Sequence, residues 1–240
     1  VDIVTIDHLD NAKAFALLGE MTSTRNLLGY GVRVLRGARF LETTRDPILT
    51  MLSIGTEKLL KLTVGAISLD EKRAWPSKSN MMSYGHGIAE LFDHVMAAVL
   101  VRTEDSTEYV KGLVADVLAD PVLPPVLATL DRYGRSGRFY NLDMLADSPQ
   151  IDPDPARMWE AAEQATLGNP EIAELQRIAT ERLTDNDAWN SFYGAVQGRT
   201  ADSIERLWIM ISRVGINHRL GTTGATLGWE IAPNAVGRQG

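Results

Sequence analysis

Residues 46–71 constrain the fold more than any other stretch of this 240-residue chain. They open on Asp46-Pro47, a carboxylate able to cap a helix followed by a proline at the first helical position, where no backbone donor is lost. Leu52, Leu59, Leu60, Val64 and Ile67 then recur at helical spacing. The pattern predicts six or seven turns at about 3.6 residues each. Glu57, Lys58 and Lys61 are charges within it that must face water or find partners. Gly55 and Gly65 each weaken the helix by about 1 kcal/mol relative to alanine and read as positions of close packing. A second apolar helix is expected over 84–102, with Ile88, Leu91, Phe92, Val95, Met96 and Val99 on one face. Helices so broadly apolar need other helices around them.

The remaining chain supplies those. Residues 1–9 alternate briefly but have no convincing strand to pair with, so they read as an arm. Helical periodicity runs over 10–21 and again over 24–41. Residues 75–80 read as a loop. Ser106 or Thr107 can cap a helix ending at Asp120-Pro121, and Pro124-Pro125 begins a short one ending near Tyr133. Residues 131–143 are read as a loop, rich in arginine, glycine and aromatics. The proline-rich acidic connector 148–155 is the best internal boundary of what otherwise reads as a single helical domain. Further helices are expected over 155–167, 170–183 and 186–197, with Asn169 and Asp185 or Asn186 as caps. Thr200 caps a last one to about His218. The small residues of 221–228 read as too flexible for a core element, and 221–240 as a flexible tail. The sum is an all-α, multi-helix bundle of about nine helices.

With 45% hydrophobic and 23% charged residues the chain has enough apolar material for a sizeable core. It contains no cysteine, which excludes disulfides, thiolate metal sites and cysteine nucleophiles. No apolar run reaches the ~20 residues that span a bilayer, and no signal-peptide pattern stands at the start, so no membrane role is expected and the cytoplasm is the expected location. The net charge of −7 argues against binding nucleic acid through overall charge, but leaves local basic sites open.

Three constellations could carry chemistry. On a helix His86, Glu90 and His94 share one face, where they could hold a metal or, for His86 at a helix start, make a structural hydrogen bond. No Glu-x-x-His pair of the di-iron type occurs. Neither a metal nor another cofactor is therefore expected, and a helical metalloprotein ranks third among the readings. Arg213 and His218 form an Arg-x4-His segment. A histidine can move a proton at neutral pH and an arginine can neutralise charge on phosphorus, so the pair could cleave RNA without metal. The same residues could equally be a basic turn favourable to a helix C-terminus. Arg132, Arg135 and Arg138 with Tyr133 form a candidate phosphate and base site, or a surface loop whose aromatics pack inward. Arg33, Arg36 and Arg39 lie along one helix flank, as a solvated face or a phosphate-facing stripe.

Taken together, Gly55-Thr-Glu-Lys-Leu-Leu-Lys61, Gly85-His86 and Arg213-x4-His218 resemble the HEPN superfamily of helical proteins. The resemblance covers about a third of the chain. It implies a core of four or five helices, often in a homodimer, and either a metal-independent endoribonuclease of toxin and abortive-infection systems or a non-catalytic binding module. By it, Arg213 and His218 would be the catalytic pair, completed by the same pair from a second subunit. The leading reading is an RNA-binding protein or ribonuclease in a defence or toxin context. The alternative is a helical interaction or dimerisation module. The expected partners are RNA, a second copy, and an antitoxin or other protein.

Overall fold

The computed structural model describes Ile6 and residues 8–38, 41–85 and 87–236. Among these there are eleven α-helices, two 3-10 turns and no strand. In order they are α1 Asn11–Gly37, α2 Leu41–Lys72, α3 Lys78–Ser83, α4 Ile88–Thr103, α5 Glu108–Leu118 and α6 Leu123–Arg135. A 3-10 turn at Gly137–Phe139 precedes α7 Tyr140–Leu145, α8 Pro155–Thr166, α9 Pro170–Glu181, α10 Asn186–Ile216 and α11 Gly221–Glu230. The expected all-α class holds. No single helix among the described residues is long and apolar enough to cross a membrane.

The differences from expectation have local causes. Two helices expected on either side of Met21 are the single helix α1, and the two expected to meet at Thr200 are the single helix α10. In both, a threonine bonds backwards within the helix: Thr24 Oγ1 donates to the Glu20 carbonyl at 2.8 Å and Thr200 Oγ1 to the Val196 carbonyl at 2.9 Å. A hydroxyl that satisfies itself on the preceding turn starts no new helix. Helix α2 begins before Asp46-Pro47 and carries Pro47 inside it, with Leu41, Ile48, Leu49 and Leu52 buried around the site. Where a loop was expected, Ser77 caps the six-residue α3, accepting from the Asn80 N–H at 3.2 Å. The arginine-rich stretch 131–143 is helical except around Ser136. The small residues of 221–228 belong to α11 and are largely buried, so that part of the expected tail is a core element. The caps on Asn169 and Asp185 are present, as is Asp154 at the start of α8.

The chain groups into two compact units. The first comprises Val1–Gly29, Ile54–Leu118 and Arg206–Gly240. Its core includes Leu59, Leu60, Ile88, Leu91, Val95, Val99 and Trp208, which are all at most 1% exposed. The second comprises Tyr30–Ser53 and Ala119–Glu205. There α6 packs on α8, Trp159 is buried, and Ile172, Ala179, Phe192 and Val196 join α9 to α10. The connector 148–155, expected as a boundary, lies inside this second unit. It is fastened by Arg132, whose Nε donates to the Pro153 carbonyl at 2.9 Å.

Candidate functional site

Arg213 and His218 stand where α10 ends. The helix closes in a Schellman arrangement: the His218 N–H donates to the Gly215 carbonyl at 2.7 Å, and the Arg219 N–H to that of Val214 at 3.1 Å. This closure needs a left-handed residue, and His218 takes it at φ 60°. Its Cβ there costs roughly 1 kcal/mol. Val214 and Gly215 are buried, while Arg213 and His218 are exposed. Among the described residues neither side chain has a hydrogen bond or ion pair. The segment therefore has a backbone role at His218 and leaves both functional groups open to solvent.

Of the other candidate arginines, Arg33 is exposed without a partner among the described residues, while the rest that are described are engaged. Arg132 is only 7% exposed. Besides Pro153 it reaches Ser136 Oγ at 2.8 Å and Gln150 Oε1 at 2.5 Å. Tyr133 is buried, its hydroxyl 2.8 Å from Thr50 Oγ1 and 3.3 Å from the Asp46 carbonyl. Arg135 pairs with Asp131 at 2.9 Å. Arg138 donates to the Gly134 carbonyl at 3.1 Å and lies 4.9 Å from the centre of the Phe139 ring. Arg36 is held by Asp202 at 2.6 Å and Glu205 at 2.5 Å. Arg39 lies outside the described residues, and so does His86. Of the remaining metal candidates, Glu90 and His94 are exposed, and His94 Nε2 is 3.4 Å from the Tyr84 hydroxyl. Among the described residues no group of three His, Asp or Glu is placed to hold a metal ion.

The two stretches that opened the sequence reading do meet. Lys61 Nζ donates to Glu57 Oε1 at 2.7 Å and to the Gly85 carbonyl at 2.8 Å. One ammonium thus closes a pair within α2 and pins the turn leading into α4.

A different place, in the second unit, gathers charged, amide and aromatic side chains. Two clefts flank the start of α2, and Glu42 and Arg45 line both. One, of about 390 Å³, also contains Tyr133, Arg138 and Tyr140. The other, of about 470 Å³, is completed by Glu163 of α8 and by Trp189, Tyr193 and Gln197 of α10. Arg45 Nε is covered and has no hydrogen-bond partner. Gln197 is 5% exposed, and its amide has no partner among the described residues. Burial pushes the Glu163 carboxyl above its ordinary range, and Glu160 and Glu42 push the same way against the pull of Arg45 and Trp159. Trp189 and Tyr193 stack with centroids 5.6 Å apart at 26°.

Tyr133 and Arg138 are sequence candidates, whereas Arg45, Glu163, Trp189, Tyr193 and Gln197 are not. A signal was present: Asn186, Trp189, Asn190, Tyr193 and Gln197 form an amide-and-aromatic stripe at helical spacing, and all five line this cleft. Starting α2 at Asp46 left Glu42 and Arg45 outside any expected helix, and the distance in sequence between 42–45, 163 and 186–197 hid their convergence. Comparison of the chain with protein-family models, curated proteins and solved structures returns no match.

Proposed function

We propose that the chain is an HEPN-like helical module that acts by binding a second copy or a protein partner, rather than by cutting RNA. The observation that carries this reading is the engagement of the arginines. Arg36, Arg132, Arg135 and Arg138, four of the five described members of the phosphate-facing sets, hold intrachain acceptors, and Arg33 alone stands exposed without one among the described residues. A guanidinium already paired has fewer N–H donors, and beside a carboxylate less net charge, to offer a phosphate. The net charge of −7 works in the same direction. The Glu57–Lys61–Gly85 node supports an HEPN-like core, since it joins two of the stretches that carry the resemblance.

A metal-independent ribonuclease is the second reading, favoured by the exposed and unpartnered Arg213 and His218. In it His218 withdraws the 2′-hydroxyl proton and Arg213 neutralises charge building on phosphorus, with a second subunit completing the site. An RNA cleavage assay in EDTA separates the two, run on wild type, His218→Ala and His218→Asn, with solution mass by light scattering. Asparagine tolerates the left-handed conformation, so His218→Asn removes the proton chemistry while sparing the helix closure. The module reading expects a dimer, or a complex with its partner, and no cleavage by any of the three proteins. Cleavage by wild type that both variants lose would overturn it.

A further inference from the structure

The cleft of about 470 Å³ between the start of α2, α8 and α10 holds groups of both signs beside an aromatic face. Its size suits a small molecule. Arg45 offers a covered Nε with no acceptor, and Gln197, 5% exposed, brings an amide to the same cleft. Unpaired buried polar groups are costly, and a ligand that completes them recovers that cost on binding. An anion alone fits poorly, because Glu42 and Glu163 line the same cleft. A cation alone fits poorly as well, because it leaves the covered Arg45 Nε without an acceptor. A molecule carrying both charges a few ångströms apart answers both requirements.

We propose that this cleft binds an α-amino acid with a planar side chain as its zwitterion. Arg45 and the Gln197 amide take its carboxylate, Glu163 and Glu42 take its ammonium group, and the ring lies on the Trp189–Tyr193 face. The three contacts divide the recognition. The guanidinium can bind a carboxylate through two parallel hydrogen bonds. The glutamates confer the preference for an amine, and a bound ammonium stabilises the charged Glu163 carboxylate that burial disfavours. The stacked indole and phenol favour a flat side chain over a branched one. This inference goes beyond the reading of the chain as a partner-binding module, and holds whether or not Arg213 and His218 act on RNA.

The test is calorimetric titration of the full chain with L-phenylalanine and L-tryptophan, alongside two truncated analogues. Phenethylamine lacks the carboxylate, and 3-phenylpropionate lacks the ammonium group. The amino acids are expected to bind, and each analogue to bind roughly tenfold to a hundredfold more weakly, the loss of one charged hydrogen-bonding partner. Arg45→Met should abolish the advantage of phenylalanine over phenethylamine. Glu163→Gln should abolish its advantage over 3-phenylpropionate. Circular dichroism of both variants establishes that they remain folded, and a ligand-free thermal melt checks each for stability. Equal binding of phenylalanine and 3-phenylpropionate by wild type would replace the proposal with an anion site, and equal binding of phenethylamine with a cation site. No heat from either amino acid at millimolar concentration would end it. None of these outcomes depends on RNA cleavage or on solution mass, so this site and the module reading fail separately.

Discussion

His218 is the residue whose role changes most between sequence and structure. In sequence its imidazole is the feature of interest, while in the fold its backbone closes α10 at φ 60° with two carbonyls satisfied behind it. A histidine pays a steric cost in that conformation that glycine avoids. His218→Gly is therefore expected to stabilise the protein by about 0.5–1 kcal/mol, less the greater chain entropy of glycine when unfolded. The measurement is the urea midpoint at unchanged slope. A loss of stability would mean that the side chain contributes more than the closure costs. Arg132 teaches the same lesson from the other side. Arginine in a glycine-rich stretch reads as a ligand for phosphate, yet this one is a fastener for the 148–155 connector. Residue type and spacing give what a side chain can do, and neither shows which acceptors the fold will bring to it.

At the scale of elements, long apolar stripes were legible, and so were Gly55 and Gly65 as positions of close packing, where a Cβ would meet Leu28 and Trp75; the small residues of 221–228 were not. Leu52, Leu59 and Leu60 of α2, and Ile88, Leu91, Val95 and Val99 of α4, are buried as their spacing requires. Helix breaks placed at threonines failed, because a Thr hydroxyl can cap a following turn or bond the preceding one, and Thr24 and Thr200 do the latter. The glycines of 221–228 read as flexibility and serve instead as a contact surface. Gly228 lies against the last turns of α10, with its carbonyl accepting from Ser212 Oγ at 2.7 Å. A Cβ on Gly228 would come closer than 3.0 Å to the Ser212 carbonyl and to the Ile216 nitrogen, both of them backbone. Backbone cannot swing aside as a side chain can, so α11 would have to move away from α10. Gly228→Ala is expected to cost roughly 2 kcal/mol, within the range seen for overpacking, against the gain of less than about 1 kcal/mol that alanine brings to an unhindered helix position. Thermal or urea unfolding decides it. A neutral or stabilising result would show that the two helices separate easily. The Trp208 indole, donating to the Ile231 carbonyl at 2.6 Å, ties down the far end of the same helix pair.

For the molecule as a whole, apolar periodicity foretold the helical class and composition the absence of thiol chemistry, but the cleft at Arg45 was beyond the reach of both. That cleft requires residues near 42–45, 163 and 186–197 to converge, and helical periodicity within one segment carries no information about which distant segments it meets. The charge balance likewise hides two carboxylates with opposite pH behaviour in the second unit. Burial would raise the Asp120 carboxyl, but hydrogen bonds from Arg199, at 2.6 and 3.2 Å, the Val122 N–H and Ser203 outweigh it, and the carboxyl titrates below its ordinary range. Its stabilising contribution is complete above the unfolded carboxylate pKa of about 3.9, and is lost as pH falls through the lower folded value. Glu163, raised by burial, does the reverse. Its contribution is complete below the unfolded value of about 4.3 and is lost as pH climbs through the raised folded one. Asp120→Asn leaves the largely buried Arg199 without its counter-charge, and should cost roughly 3–5 kcal/mol at neutral pH. The deficit should narrow in acid, where the wild-type carboxyl is itself protonated. Glu163→Gln should raise stability at neutral pH, and its advantage should disappear as pH is lowered towards 4. Urea unfolding of the three proteins between pH 3 and pH 8 checks both signs together. A Glu163→Gln protein less stable than wild type at pH 7 would mean that the ionised carboxylate is already well matched inside the cleft, leaving an incoming ammonium group little to gain there.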